Sequence, residues 1–197
     1  AVLSAMRESS GYHISVKGGR FLEAVAKADT IVFDKTGTLT YATPTVAAVI
    51  PFGGHDEAEM LRLAACLEEH YPHSMANAVV AEAKRHGLTH EEYHSQVQYV
   101  VAHGISSVVE GKKVIIGSAH FVFEDEGCRI PEGEQPKFDA LPAVYSHLYL
   151  CMDGELAAVI CIHDPLRREA LAAVRALHES GFANVVMMTG DNRRTAE

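Results

Sequence analysis

Cysteine is scarce in this chain of 197 residues, and none of its four copies (Cys66, Cys128, Cys151, Cys161) falls in a Cys-x-x-Cys pair. That argues against a disulfide scaffold and predicts reduced thiols in a cytosolic setting. No apolar run approaches the roughly eighteen residues that span a bilayer. Arg7, Glu8 and Ser9 end the first apolar run too early for a signal peptide. Positive charge is also short: 26 acidic against 17 basic side chains leave a formal net charge of −9. Such a surface repels phosphate backbones, so nucleic acid is not expected as a partner. Internal repeats and low-complexity tracts are absent. What remains is an ordinary globular composition, 48 % apolar, long enough for one domain or two small ones with a real core.

Punctuation along the chain suggests two domains built from one discontinuous chain. Gly18-Gly19 precedes a short helix over 21–27, and Thr30-Ile31-Val32-Phe33 reads as a buried strand ending at Asp34. The middle has another character. After a strand over 46–50, Asp56 with Glu59 three residues later forms a capping box, and that helix stops before Pro72. A second helix over 74–86 carries Met75, Val79, Val80 and Ala83 on one face and ends at Gly87. Strands over 97–101, 105–109 and 113–116 follow, the last two joined by Glu110-Gly111. Residues 124–141 read as a loop, with Gly127, Pro131, Gly133 and Pro136. Asp153-Gly154 then joins strands over 147–152 and 156–162. Asp164 with Pro165 predicts a helix start, with Leu166, Ala170, Leu171, Val174 and Leu177 as its buried stripe and Gly181 as its end. A further buried strand over 184–188 leads into Thr189-Gly190-Asp191. A strand–helix–strand system is thus interrupted by a mixed α+β insert.

Chemistry concentrates in Asp34-Lys35-Thr36-Gly37-Thr38-Leu39-Thr40. A carboxylate at the carboxyl end of a strand is held rigidly where loops leave an α/β sheet. Gly37 permits a tight turn and close approach to a ligand. The Thr36 and Thr38 hydroxyls and the loop N–H groups can receive phosphoryl oxygens, which makes Asp34 a nucleophile toward phosphorus. Thr36 is informative for what it is not. Phosphatases of related architecture place a second acid there, which protonates the leaving group and then activates water. With threonine, the acyl phosphate should persist.

Residues 34–40 resemble, residue for residue, the phosphorylation motif of P-type ATPases. Thr189-Gly190-Asp191 is similar to the family's second phosphate-site motif, and Asp164-Pro165-Leu166 to its Asp-Pro segment. The resemblance implies a haloacid-dehalogenase-like parallel sheet, incomplete at the C-terminus and interrupted by an α+β nucleotide-binding domain with an antiparallel sheet. It also implies that Asp34, Lys35, Thr36, Thr38, Thr189, Gly190 and Asp191 carry the chemistry, with Asp34 accepting the γ-phosphoryl of ATP. Mg2+ would sit on the Asp34 carboxylate and the Thr36 carbonyl oxygen.

The insert, about 120 residues between Thr40 and Asp164, has the size of one compact unit and resembles the small nucleotide domain of heavy-metal pumps. Glu68 stands five before His73, as in that family, and Gly104 and Gly117 fall where backbone approaches nucleotide. Glu68 can accept from an adenine amino group, and His73 can stack on or bond to the ring. The alternatives on the residues alone are a solvated Glu68 and a helix-capping His73. Ser74 replaces the family's proline, and Ala102 the first glycine of its Gly-x-Gly. The implied layout is a juxtamembrane segment over 1–20, a truncated phosphorylation domain over 21–42 and 163–197, and a nucleotide-binding domain over 43–162, hinged near 40–43 and 162–164. The implied partners are the transmembrane and actuator domains of the same polypeptide and a transported metal cation, at the cytoplasmic face of a membrane. The chain alone is expected to bind ATP weakly without turnover. Two rivals stay open here: a soluble haloacid-dehalogenase-type phosphatase, and a non-enzymatic nucleotide- or metal-binding module.

Overall fold

The computed structural model describes residues 2–88 and 104–188, together with the backbone of 94–100. These divide into two compact units, one of residues 2–34 and 168–188, the other of residues 35–167.

The first unit holds helices α1 (Val2–Gly11) and α2 (Gly19–Ala26) and strand β1 (Thr30–Asp34). After the excursion it adds helix α6 (Ala170–Glu179) and strand β8 (Asn184–Met188). β1 and β8 pair in parallel, Thr30 opposite Asn184 and Asp34 opposite Met188. Parallel neighbours require a crossover, which α6 supplies.

Two expectations fail here. The strands are not buried: Val32 is 51 % and Met188 65 % exposed. A β-branched run encodes strand propensity but not the number of layers that cover it. Asp164 and Pro165 do not start the helix either. It begins at Ala170 with Glu169 as an N-cap whose side chain makes no capping bond, and the proposed stripe is not buried, Leu171 being 62 % exposed.

The second unit contains strand β2 (Thr45–Pro51), helices α3 (Glu57–Glu68) and α4 (Ser74–Arg85), and strands β3 (His94–Val100), β4 (Gly104–Val109) and β5 (Lys112–Gly117). A short helix α5 (Gln135–Asp139) and the hairpin β6 (Ser146–Met152) and β7 (Glu155–His163) complete it. The sheet is antiparallel, in the order β2-β7-β6-β5-β4-β3. Both hairpins turn as the sequence requires, with positive φ at Glu110 and Gly111 and at Asp153 and Gly154. The Asp56 carboxylate accepts the Glu59 N–H at 3.0 Å, so Asp56 is the N-cap of α3.

Two cores flank this sheet. On one face α3 and α4 bring Met60, Leu67 and Val79 against Ile116, Leu148, Leu150, Ile160 and Ile162. On the other, Phe52, Phe121 and Val122 cover Ile115, Tyr149, Cys151 and Val159. Burial on both faces explains why β7 reads as a continuous apolar run rather than an alternating one. The second cover corrects the loop expected over 124–141. It contains a wide helical turn (His120–Asp125) and α5, where Pro136 occupies the first turn that tolerates it. Phe138 of α5 stands edge-on to Phe123 at 5.6 Å. Among the described residues no helix is long and apolar enough to cross a membrane.

Candidate functional site

Asp34 closes β1 with its side chain exposed, the placement a phosphoryl acceptor needs. The loop after it belongs to the second unit and is held by side chains far away in sequence. Thr36 (φ −76°, ψ 120°) and Gly37 (φ 80°, ψ −10°) are the central pair of a type II turn. That turn needs positive φ at its second central residue, which is why glycine stands there. Thr36 and Thr38 are exposed. Lys35 is 8 % exposed and donates from Nζ to Ser146 Oγ of β6 at 3.2 Å.

Thr40 is fully buried and ties the loop down. Its Oγ1 accepts the Gly37 N–H at 3.1 Å and donates to Asp164 Oδ2 at 2.6 Å. Arg167 braces the same turn. Its Nε donates to the Thr40 carbonyl at 3.1 Å and its Nη2 to the Gly37 carbonyl at 3.3 Å, while its guanidinium lies 5.2 Å from the Tyr41 ring centroid. Backbone bonds run alongside, Tyr41 N–H to the Pro165 carbonyl at 3.1 Å and Arg167 N–H to the Leu39 carbonyl at 2.8 Å. Asp164 therefore serves the loop rather than a helix N-terminus.

The second constellation joins the end of α3 to the start of α4. Glu68 is 2 % exposed, so it is not the solvated helix-end carboxylate of the alternative reading. His73 is half-exposed and caps α4, its Nδ1 accepting the Ala76 N–H at 3.3 Å. An accepting Nδ1 leaves the ring proton on Nε2, which lies 3.2 Å from Glu68 Oε2. This contact is close but not in line, since Glu68 Oε2 remains buried without an aligned hydrogen-bond donor. The Glu68 carboxylate outweighs burial and raises His73 above its ordinary value of 6.5. His73 therefore takes the capping role of the alternative reading, and its second ring nitrogen faces Glu68.

Gly104 and Gly117 lie opposite each other across β4 and β5. A Cβ on Gly104 would fall 2.4 Å from Phe121 Cδ1 and 2.5 Å from the Ile116 carbonyl oxygen. Packing alone therefore demands glycine. Gly104→Ala is expected to destabilise the unit by about 2 kcal/mol, the usual cost of overpacking. Urea unfolding of both proteins checks this, and equal midpoints would show that the strand shifts without strain. Thr189, Gly190, Asp191 and Ala102 lie outside the described residues.

Ser146, Arg167 and the loop-binding role of Asp164 escaped the sequence reading. Lys35 and Ser146 are 111 residues apart, and Thr40 and Asp164 are 124. The Thr at the end of the loop motif was the one available signal.

A family model described as haloacid dehalogenase-like hydrolase matches residues 28–197. Over its full length the chain is 33 % identical to a copper-exporting P-type ATPase of Bacillus subtilis, of which it covers 24 %. Over 93 % of its length it is 34 % identical to a silver exporting P-type ATPase of Salmonella typhimurium, covering 22 % of that protein. Among solved structures, a zinc-transporting PIB-type ATPase in an E2.Pi state superposes with a TM-score of 0.61 at 30 % identity, over all of this chain and 31 % of that one. The chain thus spans about a quarter of the length of these curated relatives.

Proposed function

The chain belongs to the haloacid dehalogenase-like hydrolase family, and from that premise we propose that it is the ATP-binding and phosphorylation region of a heavy-metal-transporting P-type ATPase. The observation that carries this reading is an exposed Asp34 at a strand tip, followed by a tethered turn with threonine, not a second acid, at position 36. An Asp34 carboxylate oxygen attacks the γ-phosphorus of ATP. The new O–P bond forms as the bond to the bridging β,γ-oxygen breaks, and ADP departs with that electron pair. The exposed Thr36 and Thr38 hydroxyls receive phosphoryl oxygens, and Thr189 and Gly190 of the second phosphate-site motif steady the same group. Nothing at position 36 can activate water, so the phosphoryl group stays on Asp34 and its energy is available for ion movement.

ATP and Mg2+ are the cofactors that this reading implies. The Asp34 carboxylate and the Thr36 carbonyl are hard oxygen donors, which suit this cation. When bound, it would neutralise charge developing on the transferring group. Glu68 and His73 hold adenine: the buried Oε2 of Glu68, which has no aligned donor, is the acceptor for its amino group, and Gly104 and Gly117 line the approach. In this reading 43–162 is the nucleotide-binding domain, 21–42 with 163–197 the phosphorylation domain, and 1–20 the juxtamembrane segment. The partners are the transmembrane and actuator domains of one polypeptide and a transported metal cation, with this region on the cytoplasmic face.

Calorimetry with ATP tests the reading. The chain is expected to bind ATP, with Glu68→Ala and His73→Ala each weakening affinity about tenfold, the worth of a charge-assisted hydrogen bond. Binding that both variants leave unchanged would move the nucleotide elsewhere. Release of phosphate from small esters, with no ATP binding, would return the chain to the phosphatases.

A further inference from the structure

The Thr36 carbonyl is a ligand in the reading above only if the peptide that carries it points the right way. That peptide also carries the Gly37 N–H, which donates to Thr40 Oγ1 at 3.1 Å. In a planar trans peptide the C=O and N–H point in opposite directions. Fixing the Gly37 N–H on Thr40 therefore directs the Thr36 carbonyl away from the buried side of the loop.

Thr40 can accept that bond only if its own proton is elsewhere. A hydroxyl has one proton and two lone pairs. Two oxygens compete for the proton, Asp164 Oδ2 at 2.6 Å and the Lys35 carbonyl at 3.3 Å. The carboxylate is nearer and charged, so it takes the proton, while the Lys35 carbonyl is served by the Thr40 N–H at 3.1 Å. The other end of Gly37 is held as well, its carbonyl accepting from Arg167 Nη2 at 3.3 Å. The alternative type I turn would reverse the Thr36–Gly37 peptide and with it the Thr36 carbonyl.

We infer that Asp164 and Thr40 are positioning residues for the divalent-cation site: Asp164 orients the Thr40 hydroxyl, Thr40 pins the Gly37 amide, and the pinned peptide presents the Thr36 carbonyl oxygen. Asp164 acts from 124 residues away in sequence and touches neither nucleotide nor phosphoryl group in this role. The inference rests on the assignment of the Thr36 carbonyl as a cation ligand.

The test uses the 197-residue chain, with amide hydrogen exchange of Gly37 read by NMR and manganese(II) as the cation probe, its affinity read by water-proton relaxation. In the wild type the Gly37 amide is expected to exchange more slowly than that of Thr38. Thr40→Val and Asp164→Ala are each expected to speed Gly37 exchange about five- to tenfold and to weaken manganese affinity by a similar factor, the worth of one hydrogen bond. Thr40→Ser, which restores the hydroxyl, is expected to recover both. Should Thr40→Val fail to fold, Asp164→Ala alone decides. Gly37 exchange that neither variant alters would overturn the relay. Faster exchange with unchanged manganese affinity would also overturn it, because the peptide would then move without consequence for the cation. A wild-type chain that binds no manganese while Gly37 is protected would remove the cation-ligand assignment itself, and the inference with it.

Discussion

Asp34→Asn is expected to abolish acid-stable, hydroxylamine-labile labelling from γ-labelled ATP in the transporter that we propose carries this chain. An amide matches the carboxylate in shape but lacks its charge and nucleophilicity, so no acyl phosphate forms. The same substitution should leave the fold intact. Asp34 is exposed at the end of β1, and surface changes away from packed or hydrogen-bonded features move stability by only about 0.5 kcal/mol. ATP binding should also survive, since the residues proposed to hold adenine, Glu68 and His73, stand on α3 and at the head of α4 in the other unit. The measurement is therefore a pair: label incorporation after acid quench, and ATP affinity by calorimetry. Loss of label with retained affinity places the covalent step on Asp34. Label that persists in the asparagine variant would assign the acceptor to another residue, and the pump reading would lose its chemical centre.

Much of the scaffold was legible because its signals are local. The N-cap at Asp56, the apolar stripe of α4 and the Asp153-Gly154 turn are set by residues within a few positions of one another, and each forms as read. The misses share a different cause. Asp164 followed by Pro165 carries every local mark of a helix start, yet its carboxylate finds Thr40 in a segment 124 residues earlier. No window along the chain contains that competitor. Val32 and Val186 were expected inside and stand 51 % and 43 % exposed. Strand propensity resides in the side chain, whereas burial depends on which layers cover the pair. Gly104 shows the converse. It was singled out for nucleotide approach, and the structure supplies a second reason for glycine in the Phe121 ring and the Ile116 carbonyl. His73 takes the role that the residues alone already offered, that of a helix cap. One ring nitrogen caps α4 and the other faces Glu68.

The threonine at position 36 leads to the second large expected effect, a gain rather than a loss. Thr36→Asp should shorten the lifetime of the aspartyl phosphate by about 10²–10⁴-fold, the usual contribution of a placed general acid–base group. The backbone accommodates the change. Thr36 is exposed and lies at φ −76°, ψ 120°, an extended conformation open to aspartate, and the demanding position of the turn is Gly37 at φ 80°. The introduced carboxyl would stand two residues from the nucleophile, and a like charge nearby raises a carboxyl's pKa. That favours the protonated form needed to release a leaving group and then a base able to activate water. Thr36→Asn supplies the control, with a similar shape and no exchangeable carboxyl proton. Chase experiments with unlabelled ATP should show rapid loss of label in the aspartate variant, alongside new hydrolysis of small phosphate esters, and a slow decay in the asparagine variant close to wild type. Equal decay in all three proteins would mean that persistence of the phosphoenzyme does not depend on the side chain at position 36, and its long life would have to come from exclusion of water instead.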